Sequence, residues 1–500
     1  MTGESVRRYG PGAVLLLVGA ALAIWAAVGG GGKARAGDDR PVNRGATRPG
    51  DISAHNSPTI VRNPRDAGDL VVTSRIDSPD FSCSVHVSTD GGAHWRRTVV
   101  PVPENAGRKC YAPDAAFSPD GTLHVSYATL KGVSNAPSAL WVASSRDDGR
   151  TLSAPSRVSG PLGFQARIAA DPGRPGRLFV TWLQARALGN LKFTAPGNPI
   201  VVARSDDGGA TWTDPAGVND PRRGRVLAPA PAVGPRGELY VLYLDVGGDR
   251  LDYEGAHEGS GGPPYAGRFS LVLGRSRDGG RTWDESVVDD DVVPVERFIP
   301  FLPPFPSLAV DRRTGRIYAG FHDGRAGTAD VWVWSLAPGD RGWSGPVRVN
   351  DTARHDRTSQ YMPALAVAPG GRLDVVYYDR RDDANENVLN EVSLQSSSDH
   401  GRSFGGRVTL SSRSFDSRIG FGSERGLPNL GSRLGLVSGK DEAVAVWSDT
   451  RSGTEASNKQ DLVAATVEPA RSGASADVGR LGIAVVAGGI AALLLARLRT

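Results

Sequence analysis

Cysteine is almost absent from this chain: its 500 residues include two, Cys83 and Cys110. A zinc site needs more ligands than these two offer, and a free catalytic thiol is not expected of them. Also missing are a Gly-x-Ser-x-Gly nucleophile turn, a phosphate-cradling glycine loop and any zinc-ligand spacing. No metal and no cofactor is therefore expected. The acidic run of Asp284, Glu285, Asp289, Asp290 and Asp291 offers oxygen ligands, but without calcium-loop spacing it reads as a solvated charged turn. A basic stripe is lacking too. The formal charge is +4, of which residues 1–36 carry +3 and residues 480–500 another +3, leaving −2 for the body between them. That body has nothing to release counterions from a phosphate backbone, which excludes nucleic acid as an expected partner.

What the chain has in quantity is turn residues, 64 Gly and 35 Pro, separated by short runs of Val, Ile, Leu and Tyr. Such runs read as strands, and the fold class is all-β. The two ends differ from this body. An apolar run at 13–28 follows Arg7-Arg8 and precedes the small-x-small triplet Ala34-Arg35-Ala36. This is the layout of a secretory signal, either cleaved or kept as an N-terminal anchor. A second apolar run, 478–498 with a snorkelling Arg480, is long enough to cross a bilayer, and Arg497 and Arg499 hold the tail in the cytoplasm. The expected order is signal or anchor at 1–36, linker at 37–54, folded body at 55–468, linker at 469–477 and transmembrane helix at 478–498. The body then lies outside the cell membrane. In that oxidising setting Cys83 and Cys110 are expected to bond to each other.

The body repeats. Seven units each begin with two short strands, from Thr59-Ile60-Val61 with Leu70-Val71-Val72 to Leu434-Gly435-Leu436 with Ala443-Val444-Ala445. The sharper signal is a turn. Ser88-Thr89-Asp90-Gly91-Gly92-Ala93-His94-Trp95 fits Ser-x-Asp-x-Gly-x-x-Trp, and related turns stand at 145–152, 205–212, 276–283 and 397–404. Their aspartates, Asp90, Asp147, Asp207, Asp278 and Asp399, are spaced by 57, 60, 71 and 121 residues, the last being about two periods. A carboxylate can cap the amides of such a turn, glycine can take positive φ there, and the aromatic can bury itself against the next unit. The role of the turn is structural.

On these residues the chain resembles the Asp-box, or BNR-repeat, proteins of the sialidase superfamily, over nearly all of 55–468. The resemblance implies a β-propeller of four-stranded blades, with the box joining the third and fourth strands. Seven units are traced, whereas sialidase domains have six blades, so both counts stay open. The last unit lacks a clear fourth strand, and residues near Asp51 to His55 are expected to supply it and close the ring.

Binding residues are expected at the end of the toroid opposite the boxes, where variable loops emerge. Both cysteines belong to that end. Three successive units carry an aromatic followed by Asp-x-Arg there, with Asp323 and Arg325, Asp379 and Arg381, and Asp449 and Arg451. Residues two apart on a strand share a face, so each Asp can orient its Arg. The arginines either converge on a ligand anion, as in the sialidase arginine triad, or form structural ion pairs within the blades. Sialidases also use a tyrosine nucleophile polarised by a glutamate, an exception among two-carboxylate glycosidases. The long loop 245–268 supplies those residue types in Tyr253, Glu254 and Glu258, and equally reads as a solvated insertion. The family pattern breaks at two points. No Phe/Tyr-Arg-Ile-Pro motif opens the body, Arg297-Phe298-Ile299-Pro300 being scrambled and mid-chain, and no tyrosine follows Tyr378.

The expected function is that of a membrane-anchored, extracytoplasmic, sialidase-like propeller that binds a glycan or a cell-envelope protein. The alternative is an exo-α-sialidase-type glycoside hydrolase with rearranged catalytic residues.

Overall fold

A computed structural model describes residues 34–43, 50–107, 109–132, 134–188, 196–249, 265–295, 305–420 and 430–469. The body is a β-propeller of seven blades, each an antiparallel sheet; in six of them the strands follow chain order from the inner strand outwards. The first blade comprises His55–Arg62, Leu70–Ile76, Ser82–Ser88 and Arg96–Thr98. The second comprises Lys109–Phe117, Leu123–Lys131, Ala136–Ser145 and Ser156–Ser159. The inner strands of the next five are Gly163–Ala170, Val226–Val233, Ser307–Val310, Gln360–Val367 and Gly435–Ser438. Each inner strand packs on the next, and Gly435–Ser438 packs on His55–Arg62, so the ring is closed. Seven, not six, is the blade count.

Second strands read as unbroken apolar runs because both faces are covered by neighbouring blades, as in Leu239–Asp245, where Leu239 through Leu244 are all buried. The recurring turn does what its residue types suggest. Ser145 Oγ bonds Asp147 Oδ1 at 2.6 Å and accepts from Gly149 N at 3.0 Å, while Asp147 accepts from Thr151 N at 2.9 Å. The same bonds recur around Asp90, Asp207, Asp278 and Asp399. These bonds, led by His94 for Asp90, Ser145 for Asp147 and Thr211 for Asp207, bring the three carboxyls down to about 2. The turns also join blades: Thr98 Oγ1 donates to Gly149 O at 2.6 Å, from the first blade to the second.

The seal of the ring differs from expectation. Near Ala54 there is only an isolated parallel bridge to Gln460, and His55 already belongs to the first blade. The outer edge of the seventh blade comes instead from Arg40–Pro41, inside the stretch expected as a linker, which pairs antiparallel with Asp461–Glu468. Gly37 N donates to Thr466 O and Val42 N to Leu462 O, both at 2.8 Å, so the open edge of Asp461–Glu468 is satisfied by chain from the other terminus. The Asn43 side chain completes the seal, donating to Asp461 Oδ1 and accepting from Leu462 N at 2.8 Å each.

Cys83 and Cys110 are bonded, with Cα atoms 5.4 Å apart, and link the third strand of the first blade to the inner strand of the second. Among the described residues no helix is long and apolar enough to cross a membrane. The runs at 13–28 and 478–498 lie outside the described residues.

Candidate functional site

The inner strands share a defect at the end opposite the recurring turns. In five blades the register slips by a bulge, between Asn56 and Thr59, Tyr111 and Asp114, Phe164 and Arg167, Leu227 and Ala230, and Tyr361 and Ala364. Each bulge holds one non-glycine residue at positive φ: Ser57, Ala112, Gln165, Ala228 and Met362. Such conformations cost on the order of 1–3 kcal/mol each and persist only where surrounding structure enforces them. Proline follows in four of the five, at Pro58, Pro113, Pro229 and Pro363, where its missing N–H falls in an interrupted ladder.

Three of these bulges, those of Ser57, Ala112 and Gln165, line a small cavity of about 40 Å³ together with Arg75, Tyr111 and Arg433. Residues just past three of the bulges, with Arg433 ahead of the seventh inner strand, form a hydrogen-bonded chain across four blades. Arg433 Nε donates to Thr59 Oγ1 at 3.0 Å, Thr59 Oγ1 donates to Asp114 Oδ1 at 2.9 Å, and Arg167 Nε donates to Asp114 Oδ2 at 2.7 Å. Arg433 Nη2 also donates to Pro113 O at 2.9 Å. Phe305 lies beneath two of the cations, its ring centre 5.5 Å from the Arg167 guanidinium and 5.8 Å from that of Arg433. On the other wall Arg75 pairs with Asp77 at 2.9 Å and donates from Nη1 to Tyr111 Oη at 2.8 Å.

Around the cavity, among the described residues, three arginines meet two carboxylates, Asp77 and Asp114, which leaves one positive charge in excess. Arg433 is buried and, among the described residues, bonded to no carboxylate. Burial first, then repulsion from Arg167, brings its pKa down to about 9, against the pull of Asp114. Burial alone would raise the Asp114 carboxyl, but Arg167 and Arg433 hold it below the ordinary range. Gln165 adds a donor: its Oε1 accepts from Ala228 N at 2.7 Å, while its buried Nε2 has no partner. Donors and excess positive charge around a space of this size fit a small anionic group such as a carboxylate or sulfate.

No protein-family model matches the chain, and no curated protein sequence matches it. Solved structures similar to it are propellers. A protein of unknown function from Dyadobacter fermentans aligns with TM-score 0.49 and 12% identity over 87% of this chain and 99% of its own. A Hadza microbial sialidase aligns with TM-score 0.44 and 15% identity over 82% and 75%, respectively. The α-L-arabinofuranosidase of Fusarium graminearum aligns with TM-score 0.45 and 16% identity over 73% and 98%. These likenesses are of fold.

The Asp-x-Arg motifs lie elsewhere. Arg325 binds Asp323 at 2.7 Å and Asp289 at 3.0 Å, with its guanidinium about equally near the rings of Trp332 and Trp334. Arg381 binds Asp379 and Asp351, both at 2.7 Å, and Arg451 binds Asp449 at 2.8 Å and Asp39 at 2.6 Å. Each guanidinium is committed to two carboxylates, and none lines the cavity. The second carboxylate comes from a preceding blade, an interblade segment or the N-terminal edge, so these pairs tie neighbours together. Tyr253, Glu254 and Glu258, and residues 297–300, lie outside the described residues. A tyrosine–glutamate pair does form, Tyr243 donating to Glu285, but Tyr243 is fully buried and Glu285 also holds Arg223 at 2.9 Å and Asp220 N at 2.7 Å. The acidic run is the outer strand Asp284–Val292, whose Asp289 and Glu285 are spent in these pairs.

Sequence reading passed over Arg75, Tyr111, Arg167 and Arg433. One signal was available: aligning inner strands at their bulges puts Thr59, Asp114 and Arg167 at one position in three blades, and the charged residues among them stand out against Ala230 and Ala364.

Proposed function

We infer that this protein is an extracytoplasmic, membrane-anchored propeller of the Asp-box kind that binds an acidic carbohydrate, taking the sugar's carboxylate or sulfate at the mouth of the central channel. The observation that carries this reading is Arg433, buried beside Arg167 with no carboxylate of its own. A guanidinium in that state favours an anion entering the cavity beside it. At about 40 Å³ the cavity has room for a carboxylate or sulfate group and not for a sugar ring. Export and anchoring are supported by the two apolar terminal runs and by the disulfide.

Calorimetric titration of the full-length protein in detergent with glucuronate and N-acetylneuraminate, against glucose as the neutral control, tests the reading. The acidic sugars bind, glucose does not, and Arg433→Met removes the difference; equal affinity in wild type and variant overturns it. The hydrolase alternative rests on Tyr111, which lines the cavity and whose phenol is joined to Asp77 through Arg75. Turnover of a fluorogenic sialoside abolished by Tyr111→Phe would favour it.

A further inference from the structure

The disulfide lies beside the cavity it does not line. Cys83 is the cross-strand partner of Arg75, and cross-strand partners project from the same face of a sheet. Cys110 directly precedes Tyr111. The bond therefore joins, one residue removed, the two side chains that form one wall of the cavity. Those side chains meet across the boundary between the first and second blades, through the 2.8 Å bond from Arg75 Nη1 to Tyr111 Oη.

The backbone around Tyr111 gives a reason for such a link. Tyr111 pairs with Ala128, but the register then slips until Asp114, with Ala112 at φ 48°, so the regular ladder grips Tyr111 from one side only. The ring packs on the apolar cluster of the second and third blades, and its polar and aromatic partners come from the first blade's hairpin arm. The Arg75 guanidinium lies 5.3 Å from the Tyr111 ring centre, and Phe81 meets that ring edge-on at 5.4 Å. The tip of this arm, Pro79 and Asp80, is exposed, and a solvent-facing arm holds a neighbour weakly unless it is anchored. The one covalent anchor between the arm and the strand bearing Tyr111 is the disulfide.

We propose that the Cys83–Cys110 bridge is a positioning element for the anion site, holding Tyr111 against Arg75 so that the phenol and the guanidinium face the cavity together. The site is then complete only where disulfides form, and the chain acquires its ligand affinity after leaving a reducing compartment. This rests on the anion-binding reading above.

The test uses full-length protein labelled with 3-fluorotyrosine, the Tyr111 resonance being assigned by its loss in Tyr111→Phe. Wild type, Cys83→Ala/Cys110→Ala and Val241→Ala are compared; Val241 is buried in the fourth blade, and its truncation lowers stability away from the site. The double cysteine variant binds glucuronate at least tenfold more weakly and shifts or broadens the Tyr111 signal. Val241→Ala lowers the melting temperature and leaves both readouts unchanged. An unmoved Tyr111 signal, or unchanged affinity in the double variant, overturns the proposal. Should that variant not fold, Phe81→Ala decides. With the bridge intact, affinity stays within twofold, and a tenfold loss shows that the arm's packing does the positioning. If the wild type binds neither glucuronate nor N-acetylneuraminate, the anion reading fails, and the fluorine signal still decides whether the bridge places Tyr111.

Discussion

Arg167 and Arg433, from the third and seventh blades, lie over one aromatic ring, that of Phe305, and divide one carboxylate between them. Arg167 bonds Asp114 directly, while Arg433 reaches it through Thr59. Removing either kind of charge has opposite consequences. Arg433→Met takes away a buried cation that, among the described residues, has no carboxylate bonded to it, so stability holds or rises while anion affinity is lost. Asp114→Asn leaves Arg167 and Arg433 facing each other, and costs about 3–5 kcal/mol. Urea unfolding of the two variants beside wild type separates these outcomes.

Gly431 fixes how closely the seventh blade approaches the first. It sits at φ 92°, and a Cβ there would lie 2.3 Å from Ser57 N. Ser57 Oγ in turn accepts from Ser432 N at 2.9 Å, so the seam has no slack. Gly431→Ala combines backbone strain with a clash against backbone and destabilises by roughly 2–4 kcal/mol, measured by chemical denaturation. Ligand affinity falls with it, because Ser57 and Arg433 both line the cavity.

Acid should unfold the propeller in two stages. Burial brings His322 and His86 down to about 3, and His55 and His124 to about 4, from an ordinary 6.5. The unfolded chain takes up these protons first. Stability is therefore fully present above pH 6.5 and drains as pH falls towards 4 and then 3, at about 1.4 kcal/mol per pH unit for each histidine. The turn aspartates, held near 2, add their loss only below pH 4. Unfolding free energies at pH 7, 5.5 and 4.5 show the first stage, and His322→Gln makes its slope shallower. An identical slope in that variant refutes this account.

The blades could be read from the sequence because each repeats local chemistry: Asp147 and its counterparts cap a turn using residues within four positions. The bridge between Cys83 and Cys110 was legible from the count of two and an expected oxidising setting. The closing strand escaped because Arg40–Pro41 is two residues long, and Gly37, Val42 and Asn43 bind a strand from the far end of the chain. The cavity escaped for a related reason. Arg75, Arg167 and Arg433 come from three blades and share no motif, whereas the conspicuous Asp-x-Arg repeats are what a bond made once per blade leaves in a sequence.

Without its N-terminal edge the seventh blade exposes Asp461–Glu468 as an unpaired strand. Deleting residues 36–43 should lower the melting temperature by several degrees and promote self-association, seen by light scattering. Asp39→Ala, which removes side-chain bonds to Arg451 and Ser412 but keeps the backbone pairing of the edge, should leave the protein monomeric.

That same seam sets a timetable for folding. Gly37 is bonded to Thr466, so this N-terminal edge waits for the seventh blade's Asp461–Glu468 before it has a partner. A chain emerging from its N-terminus can assemble six blades in succession, but the seventh stays half-made until Asp461–Glu468 arrives. Until then residues 36–43 trail unpaired and open to a protease. Their resistance to cleavage is thus a clock for completion: it appears last, and all at once, when the circle is joined.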